Sequence, residues 1–185
     1  FLAAELENGK IIEGETNIDI PKHDGLLRIK KVWLKPEVPA NPAALKAILE
    51  ADAVIIGPGD LYTSLIPNLL VDGIDQAIKK SKAKKIYFIN LMTKFGETTG
   101  FQASDFLRIM EGYLGKGVLD FIVINKNQPS PNRFRPYANE KSEFVVADIE
   151  DLKTKPIVIT ADLLRDSGLV RHDPEKVAKI VRMLV

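Results

Sequence analysis

The sequence predicts an α/β fold in three layers, with a mostly parallel sheet and an antiparallel hairpin near the N-terminus. From residue 50 onward, short apolar runs alternate with amphipathic helical segments, which is the pattern of parallel strands joined by crossover helices. These runs are continuously apolar, as expected for strands covered on both faces. Before residue 50, Asn8-Gly9 joins two extended runs, and this dipeptide favours a tight hairpin turn.

The N-terminal third is expected to supply the hairpin and one further strand. The expected strands here are residues 1–7, 10–15 and 26–34. The segment 13–18, "EGETNI", is polar for a strand end, and in an extended chain Glu15 and Asn17 project to the same side. Two interpretations stay open: these side chains belong to a ligand-binding edge, or they lie on a solvated sheet face.

The next element is a helix with a clear start signal. Asn41 is a good N-cap, and Pro42 suits the first helical position. Leu45, Ile48 and Leu49 then supply an apolar stripe at helical spacing.

The remaining chain reads as strand and helix in alternation, which predicts a Rossmann-like sheet within a single domain over 1–185. The expected strands are 53–56, 85–90, 119–125 and 156–163, and the expected helices are 71–84, 102–115 and 173–185. We expect the middle helix to open at Thr99 or Ser104 and to close at Gly115. Asp173 and Pro174 should start the last helix. Residues 126–143 are polar and contain prolines, which predicts a loop.

Composition excludes several classes of protein. The 185 residues are 45% hydrophobic, and 26 Lys and Arg nearly balance 25 Asp and Glu. Such a balance argues against a general nucleic-acid binder, whose affinity comes from many phosphate contacts. Cysteine is absent, so disulfides and thiolate chemistry are excluded. No apolar run reaches the length of a membrane span. We therefore expect a cytoplasmic protein with neither nucleic acid nor membrane as partner.

The chain begins at Phe1, inside an expected strand. This start predicts that the sequence is the C-terminal part of a longer chain. An unpaired sheet edge left by a missing half would favour self-association, so a homodimer is expected.

The candidate site follows from what comes after each apolar run. The residues after the first run include Gly57, Pro58, Gly59, Asp60, Tyr62, Thr63 and Ser64. Asn90 follows the second run and Asn125 the third. Ligands bind beyond the carboxyl ends of parallel strands, where these loops should converge. Glycines let backbone amides approach a ligand, and hydroxyls complete a cradle for an anion. The pattern predicts a site for a negatively charged ligand.

Each part of this pattern also has a structural interpretation. Thr63 and Ser64 could cap a helix that begins near Leu65, and the two asparagines could hold loops through their amides. Arg133 and Arg135 fit a phosphate clamp, but they fit solvated loop charges equally well.

The two histidines favour no catalytic assignment. His23 lies in a turn, and His172 precedes an expected helix N-cap. Neither has a partner at metal-ligand spacing, so the sequence predicts no metal motif.

Four stretches together resemble a known family: "GPGDLYTSLIPNLLV", "NLMTKFGETTGFQASDFL", "GETNI" and "GLVRHDPEKVA". They resemble the family that joins the 2-phospho-L-lactate transferases (CofD) to the gluconeogenesis factors (YvcK-like proteins), and the YvcK-like branch more closely. The resemblance implies a longer protein whose N-terminal half carries a Gly-rich nucleotide-binding turn. It also implies a regulator of gluconeogenic carbon metabolism and cell morphogenesis that binds UDP-sugars such as UDP-N-acetylglucosamine.

The resemblance leaves a second activity open. A phospholactate-type transferase would move a phospholactyl group from a nucleotide-activated donor to the deazaflavin Fo, with Mg²⁺. Asp60 then has two candidate roles, since a carboxylate can bind magnesium or accept a hydrogen bond from a sugar hydroxyl.

The resemblance also implies ligand-binding residues beyond the first loop, but no catalytic residue. These are Asn90, Thr93, Gly96, Glu97 and Thr98 in a second loop, Glu15 and Asn17 near the N-terminus, and Arg171, His172 and Asp173 near the C-terminus. Thr99 stands where many relatives have an acid. If that acid binds a metal or a hydroxyl in those relatives, this chain lacks it.

Overall fold

A computed structural model of the chain describes residues 1–149 and 155–185 and contains two sheets. The first is antiparallel in the order β2-β1-β3, and the second is parallel in the order β4-β5-β6-β7. The strands are β1 (Leu2–Leu6), β2 (Ile11–Glu13), β3 (Ile29–Leu34), β4 (Ala53–Ile56), β5 (Lys84–Phe88), β6 (Phe121–Asn125) and β7 (Ile157–Ala161). The predicted α/β fold with an N-terminal antiparallel hairpin is confirmed.

Seven α-helices and one π-helical turn lie in the described residues. The helices are α1 (Glu15–Asp19), α2 (Pro42–Glu50), α3 (Ile66–Leu69), α4 (Ile74–Lys80), α5 (Ala103–Leu114), α6 (Pro131–Ala138) and α7 (Pro174–Leu184). The π-helical turn spans Leu61–Leu65. No helix in the described part of the chain is both long enough and apolar enough to cross a membrane.

Most helices for which the sequence predicts an N-cap begin at that residue in the structure. The Asn41 side chain accepts a hydrogen bond from the Ala43 amide at 2.9 Å, and the Asp173 side chain accepts two from the first turn of α7. Helix α5 is the exception. A capping box between Gln102 and Asp105 starts it, rather than Thr99 or Ser104. Glutamine is an uncommon N-cap, so the signal is weak in the sequence.

Two segments expected to be irregular or extended are helical. Gly14 ends β2 with φ of 93°, and the chain turns into α1, which places Ile18 in the core. The expectation that Glu15 and Asn17 share one side of a strand is therefore wrong. Residues 126–143, expected as a loop, contain α6.

Side chains from both faces of the parallel sheet enter separate clusters, which gives the three layers. Tyr87 packs in the cluster that contains Phe106 of α5. Its neighbours Ile86 and Phe88 point the other way, and their cluster includes Val177 of α7. Alternation along a strand and burial on both faces together explain the continuous apolar runs.

Candidate functional site

A cavity of about 630 Å³ opens at the carboxyl ends of the parallel strands. Its lining comes from the segments after β4, β5 and β7 and from the region of α6. The lining residues are Pro58, Gly59, Asp60, Asn90, Leu91, Met92, Thr93, Lys94, Tyr137, Glu140, Ser142, Arg165, Val170, Arg171 and His172. The fold thus concentrates polar and charged side chains where an open parallel sheet binds ligands.

The structure brings only some of the predicted site residues to this cavity. Those that line it are Pro58, Gly59, Asp60, Asn90, Thr93, Arg171 and His172. Those that do not are Glu15, Asn17, Gly57, Tyr62, Thr63, Ser64, Gly96, Glu97, Thr98 and Asp173. The loops after β4 and β5 meet as expected. The segment after β6 reaches the cavity through Tyr137, Glu140 and Ser142 rather than through Asn125, and the segment after β7 also lines it.

A buried carboxylate joins the two loops. Glu97 is 2% exposed. Its Oε2 accepts a hydrogen bond from the Tyr62 amide at 3.2 Å, and its Oε1 accepts one from the Thr63 hydroxyl at 2.9 Å. The loop after β5 therefore holds the π-helical turn after β4, and Glu97 positions the cavity rim instead of lining it.

Lys94 connects this buried carboxylate to two others. Its Nζ donates a hydrogen bond to Asp60 at 3.0 Å and forms an ion pair with Asp19 of α1. The same nitrogen lies 3.8 Å from Glu97 Oε1. Burial alone would lower the pKa of Lys94, but the hydrogen bonds to Asp19 and Asp60 outweigh burial and raise it. One ammonium thus faces three carboxylates.

The protonation of Glu97 is set by its surroundings. Burial raises its pKa to about 7, and the charge of Asp60 adds to the rise. The Thr63 hydroxyl and Lys94 oppose it, because both stabilise the carboxylate. Glu97 therefore titrates near neutral pH.

The same three carboxylates bear on the magnesium expectation. Oxygen atoms of Asp19, Asp60 and Glu97 lie within 4.8 Å of one another, and carboxylate oxygens are ligands that Mg²⁺ prefers. However, Lys94 already bonds Asp19 and Asp60. The ammonium supplies the positive charge that a metal would bring, so this arrangement does not fit a magnesium ion.

Several other predicted residues hold the rim together. The Tyr62 ring is buried and its hydroxyl donates to Ile29 O at 3.4 Å, while Thr98 Oγ1 accepts from the Lys94 amide at 2.9 Å. Thr93 lines the cavity, but its hydroxyl accepts from the Glu143 amide at 2.8 Å.

Position 96 requires a glycine, because Pro21 lies close to its backbone. It has φ of 87°, and a Cβ there would lie 2.4 Å from Pro21 Cγ. The Thr99 hydroxyl accepts a hydrogen bond from the Gly96 amide and donates one to Gly25 O. The Thr99 hydroxyl therefore stabilises the turn that contains Gly96.

The remaining predicted residues lie away from the cavity. Asn17 donates to Glu13 O at 2.9 Å, and the exposed Ser64 does not cap α3, which starts without a side-chain cap. Asn125 accepts from the Leu163 amide at 2.9 Å and donates to Asn127 O at 2.6 Å. Its role is to hold the segment that follows β7.

Helix α6 holds the segment after β7 in place. Arg133 donates to the carbonyls of Arg165 at 2.7 Å, Gly168 at 2.9 Å and Leu169 at 3.0 Å. Tyr137 Oη accepts from the Val170 amide at 3.0 Å. Arg133 is therefore not a free phosphate clamp, because its guanidinium is bonded to backbone carbonyls of the segment after β7.

Two buried acceptor atoms among the cavity residues lack a partner in the described part of the chain. They are Asn90 Oδ1 and His172 Nε2. Burial lowers the pKa of His172 to about 4, partly offset by a hydrogen bond with the Ile89 backbone, so the imidazole is neutral at pH 7. Unpaired buried acceptors are costly, and they cluster at functional sites.

Sequence reasoning missed five charged or polar cavity residues: Lys94, Tyr137, Glu140, Ser142 and Arg165. Lys94 stands three residues before Glu97, a spacing that allows the two to interact. Arg165 and Arg171 flank "DSGLV", and the glycine there is a turn signal. Tyr137 and Glu140 were hidden because α6 was not recognised.

The fold and this cavity define an α/β protein with a charged site at its strand ends, and comparison with known proteins agrees. The family model described as "2-phospho-L-lactate transferase CofD" matches residues 1–164. The chain belongs to the CofD family.

Individual relatives indicate which branch of this family the chain resembles. The chain is 40% identical to the gluconeogenesis factor of Halalkalibacterium halodurans and 38% identical to that of Bacillus subtilis, covering 98% and 97% of this chain and 56% of each relative. A crystal structure of a UPF0052 family member from Bacillus halodurans matches with a TM-score of 0.91 at 39% identity, over 98% of this chain and 58% of that one. The chain thus spans a little over half the length of these relatives, and it resembles the YvcK-like branch.

Proposed function

We propose that the cavity binds a nucleotide sugar, such as UDP-N-acetylglucosamine, and that through this ligand the protein regulates gluconeogenic carbon metabolism and cell morphogenesis. The observation that carries the proposal is the cavity itself. It is large enough for a small ligand and combines two arginines, a lysine and unpaired acceptors with an apolar wall that includes Leu91 and Val170. Relatives named gluconeogenesis factor support the regulatory role.

Isothermal titration calorimetry with UDP-N-acetylglucosamine tests the binding. We expect saturable binding by this chain that is lost in Met92→Trp, which fills the cavity. Leu169→Trp is the matched control, because Leu169 is exposed and does not line the cavity. Equal weakening by both substitutions, or no binding by the parent chain, would contradict the proposal.

One observation favours a second candidate function, a phospholactate-type transferase. The matching family model is that of a 2-phospho-L-lactate transferase. The protein would be incubated with Mg²⁺, a nucleotide-activated phospholactate donor and Fo, and phospholactyl-Fo would be sought by mass spectrometry. Product formation supports the transferase. Ligand binding without product supports the binding regulator.

A further inference from the structure

The charges that line the cavity are separated into two groups. One group lies after β4 and β5, where Asp60 and Lys94 meet. The other lies after β7, where Arg165 and Arg171 line the cavity. We call the first the acidic end and the second the arginine end.

The strand order gives the spacing of the strands from which these ends extend. The parallel sheet runs β4-β5-β6-β7, so β4 and β7 are its two edges. Neighbouring strands lie about 4.8 Å apart, which places the two edge strands roughly 14 Å from each other. An elongated ligand, such as a sugar joined to a nucleotide through a diphosphate, suits a cavity lined from both edges of the sheet.

The arginine end is free to bind an anion. In the part of the chain that the structure describes, neither Arg165 nor Arg171 forms a side-chain ion pair. The nearby acids Asp162 and Asp166 are both bonded by Lys176, at 2.8 and 2.9 Å. Glu140 is the one carboxylate from this side that lines the cavity, so the two guanidinium groups outnumber it.

The arginine end is also held in shape. Leu164 and His172 form an antiparallel bridge, and the Arg165 amide donates to Arg171 O at 3.1 Å, so the two arginines lie opposite each other on a hairpin-like segment. Arg133 and Tyr137 hold this segment from outside through its backbone. The backbone that carries the two arginines is therefore held, and two guanidinium groups on such a segment suit a phosphate group.

The acidic end is unsuited to an anion. Its single ammonium is already bonded to Asp19 and Asp60, with Glu97 at 3.8 Å. The carboxylates outnumber the cation even when Glu97 is protonated. Asp60 is an acceptor, so it suits O–H or N–H donors of an uncharged group.

We infer that the arginine end binds the phosphate groups of the ligand, while Asp60 at the acidic end accepts hydrogen bonds from its uncharged part. This inference rests on the proposed function. It reverses the expectation from the sequence, which places the anion at the Gly57–Ser64 loop.

Calorimetry with three probes tests the orientation: inorganic pyrophosphate, UDP and UDP-N-acetylglucosamine. Arg165→Gln and Arg171→Gln should each weaken pyrophosphate binding by about tenfold or more, since each removes a charge-assisted hydrogen bond. Arg135→Gln, on the exposed side of α6 and outside the cavity, is the matched control and should change nothing. Asp60→Asn should strengthen pyrophosphate binding and weaken UDP-N-acetylglucosamine binding.

The outcomes separate the inference from the proposed function. The orientation is overturned if the arginine variants bind pyrophosphate as the parent does, or if Asp60→Asn weakens it. Arginine-dependent pyrophosphate binding without any UDP-N-acetylglucosamine binding refutes the proposed function alone. Absence of binding to every probe overturns both. Thermal unfolding of each variant checks that the fold is intact. A loss for UDP-N-acetylglucosamine but not UDP in Asp60→Asn assigns the acidic end to the sugar, and an equal loss for both assigns it to the nucleoside.

Discussion

The two ends of the cavity are built in different ways. At the acidic end, side-chain contacts join the loops: the buried Glu97 holds a neighbouring loop, and the half-buried Lys94 joins three carboxylates. At the arginine end, Arg133 and Tyr137 hold a loop by its backbone. The acidic end therefore commits its charges to the fold, while the arginine end leaves two charges for a ligand. This difference teaches that the charged residues of a motif can serve the scaffold, while arginines on a neighbouring loop stay free of ion pairs in the described residues.

The largest expected effect is on the pH dependence of the acidic end. Glu97 has its pKa raised from 4.5 to about 7. The folded state thus keeps a proton that the unfolded state releases, and the stability contributed by this proton is lost as pH rises from about 4.5 to 7. The free energy of unfolding of the parent relative to Glu97→Gln should fall by about 3 kcal/mol across that window. Urea unfolding of both proteins at several pH values measures it, and a constant difference would contradict it.

The arginine end should show the opposite dependence. His172 has its pKa lowered from 6.5 to about 4. The folded state excludes a proton that the unfolded state binds, so stability is lost as pH falls from about 6.5 to 4. Relative to His172→Gln, the parent should lose about 3 kcal/mol of unfolding free energy over that range. The same urea series measures this loss. An unfolding free energy of the parent that rises on acidification, relative to that of His172→Gln, would refute the expectation.

A smaller effect is expected where the rim contacts α1 and the segment after it. Gly96→Ala adds a Cβ that meets Pro21 at 2.4 Å, at a residue with φ of 87°. Gly100→Ala is the control, because φ is 69° there but no atom lies within 4 Å of the added Cβ. Both substitutions place a Cβ on a residue with positive φ and so introduce backbone strain. The additional loss of unfolding free energy in Gly96→Ala, about 2 kcal/mol, therefore measures the clash with Pro21. Equal destabilisation by the two substitutions would mean that the close approach is absent.

The smallest effect is expected from loosening the arginine end. Arg133→Ala should lower the unfolding free energy by about 1 kcal/mol, because its hydrogen bonds are exposed. Hydrogen exchange in residues 165–171 should become faster. Arg135→Ala, two residues further along α6, should change neither the unfolding free energy nor the exchange rate. Unaltered exchange in Arg133→Ala would show that Arg133 does not hold this segment.

The parallel sheet could be predicted because its strands carry the signal themselves. The apolar run at 121–125 is buried on both faces, and the helix start at Asp173 is marked by a cap and a proline. These are local signals, and each agrees with the tertiary environment. The helix α6 could not be predicted, because its sequence is polar, contains Pro136 and gains its contacts from the segment after β7.

The site was predicted in part for the same reason. The sequence shows that polar residues follow β4 and β5, so their meeting could be expected. It does not show which way a side chain points. Glu97 and Thr63 face each other, and their polar groups satisfy one another instead of a ligand. Arg165 could be placed opposite Arg171 only once the chain reversal between them was known.

The position of the phosphate groups in a crystal of the chain with UDP-N-acetylglucosamine tests the account most directly. We predict phosphate density beside Arg165 and Arg171, with the uncharged part of the ligand extending toward Asp60. Phosphate density against Gly59 and Asp60, with both arginines turned to solvent, would contradict it.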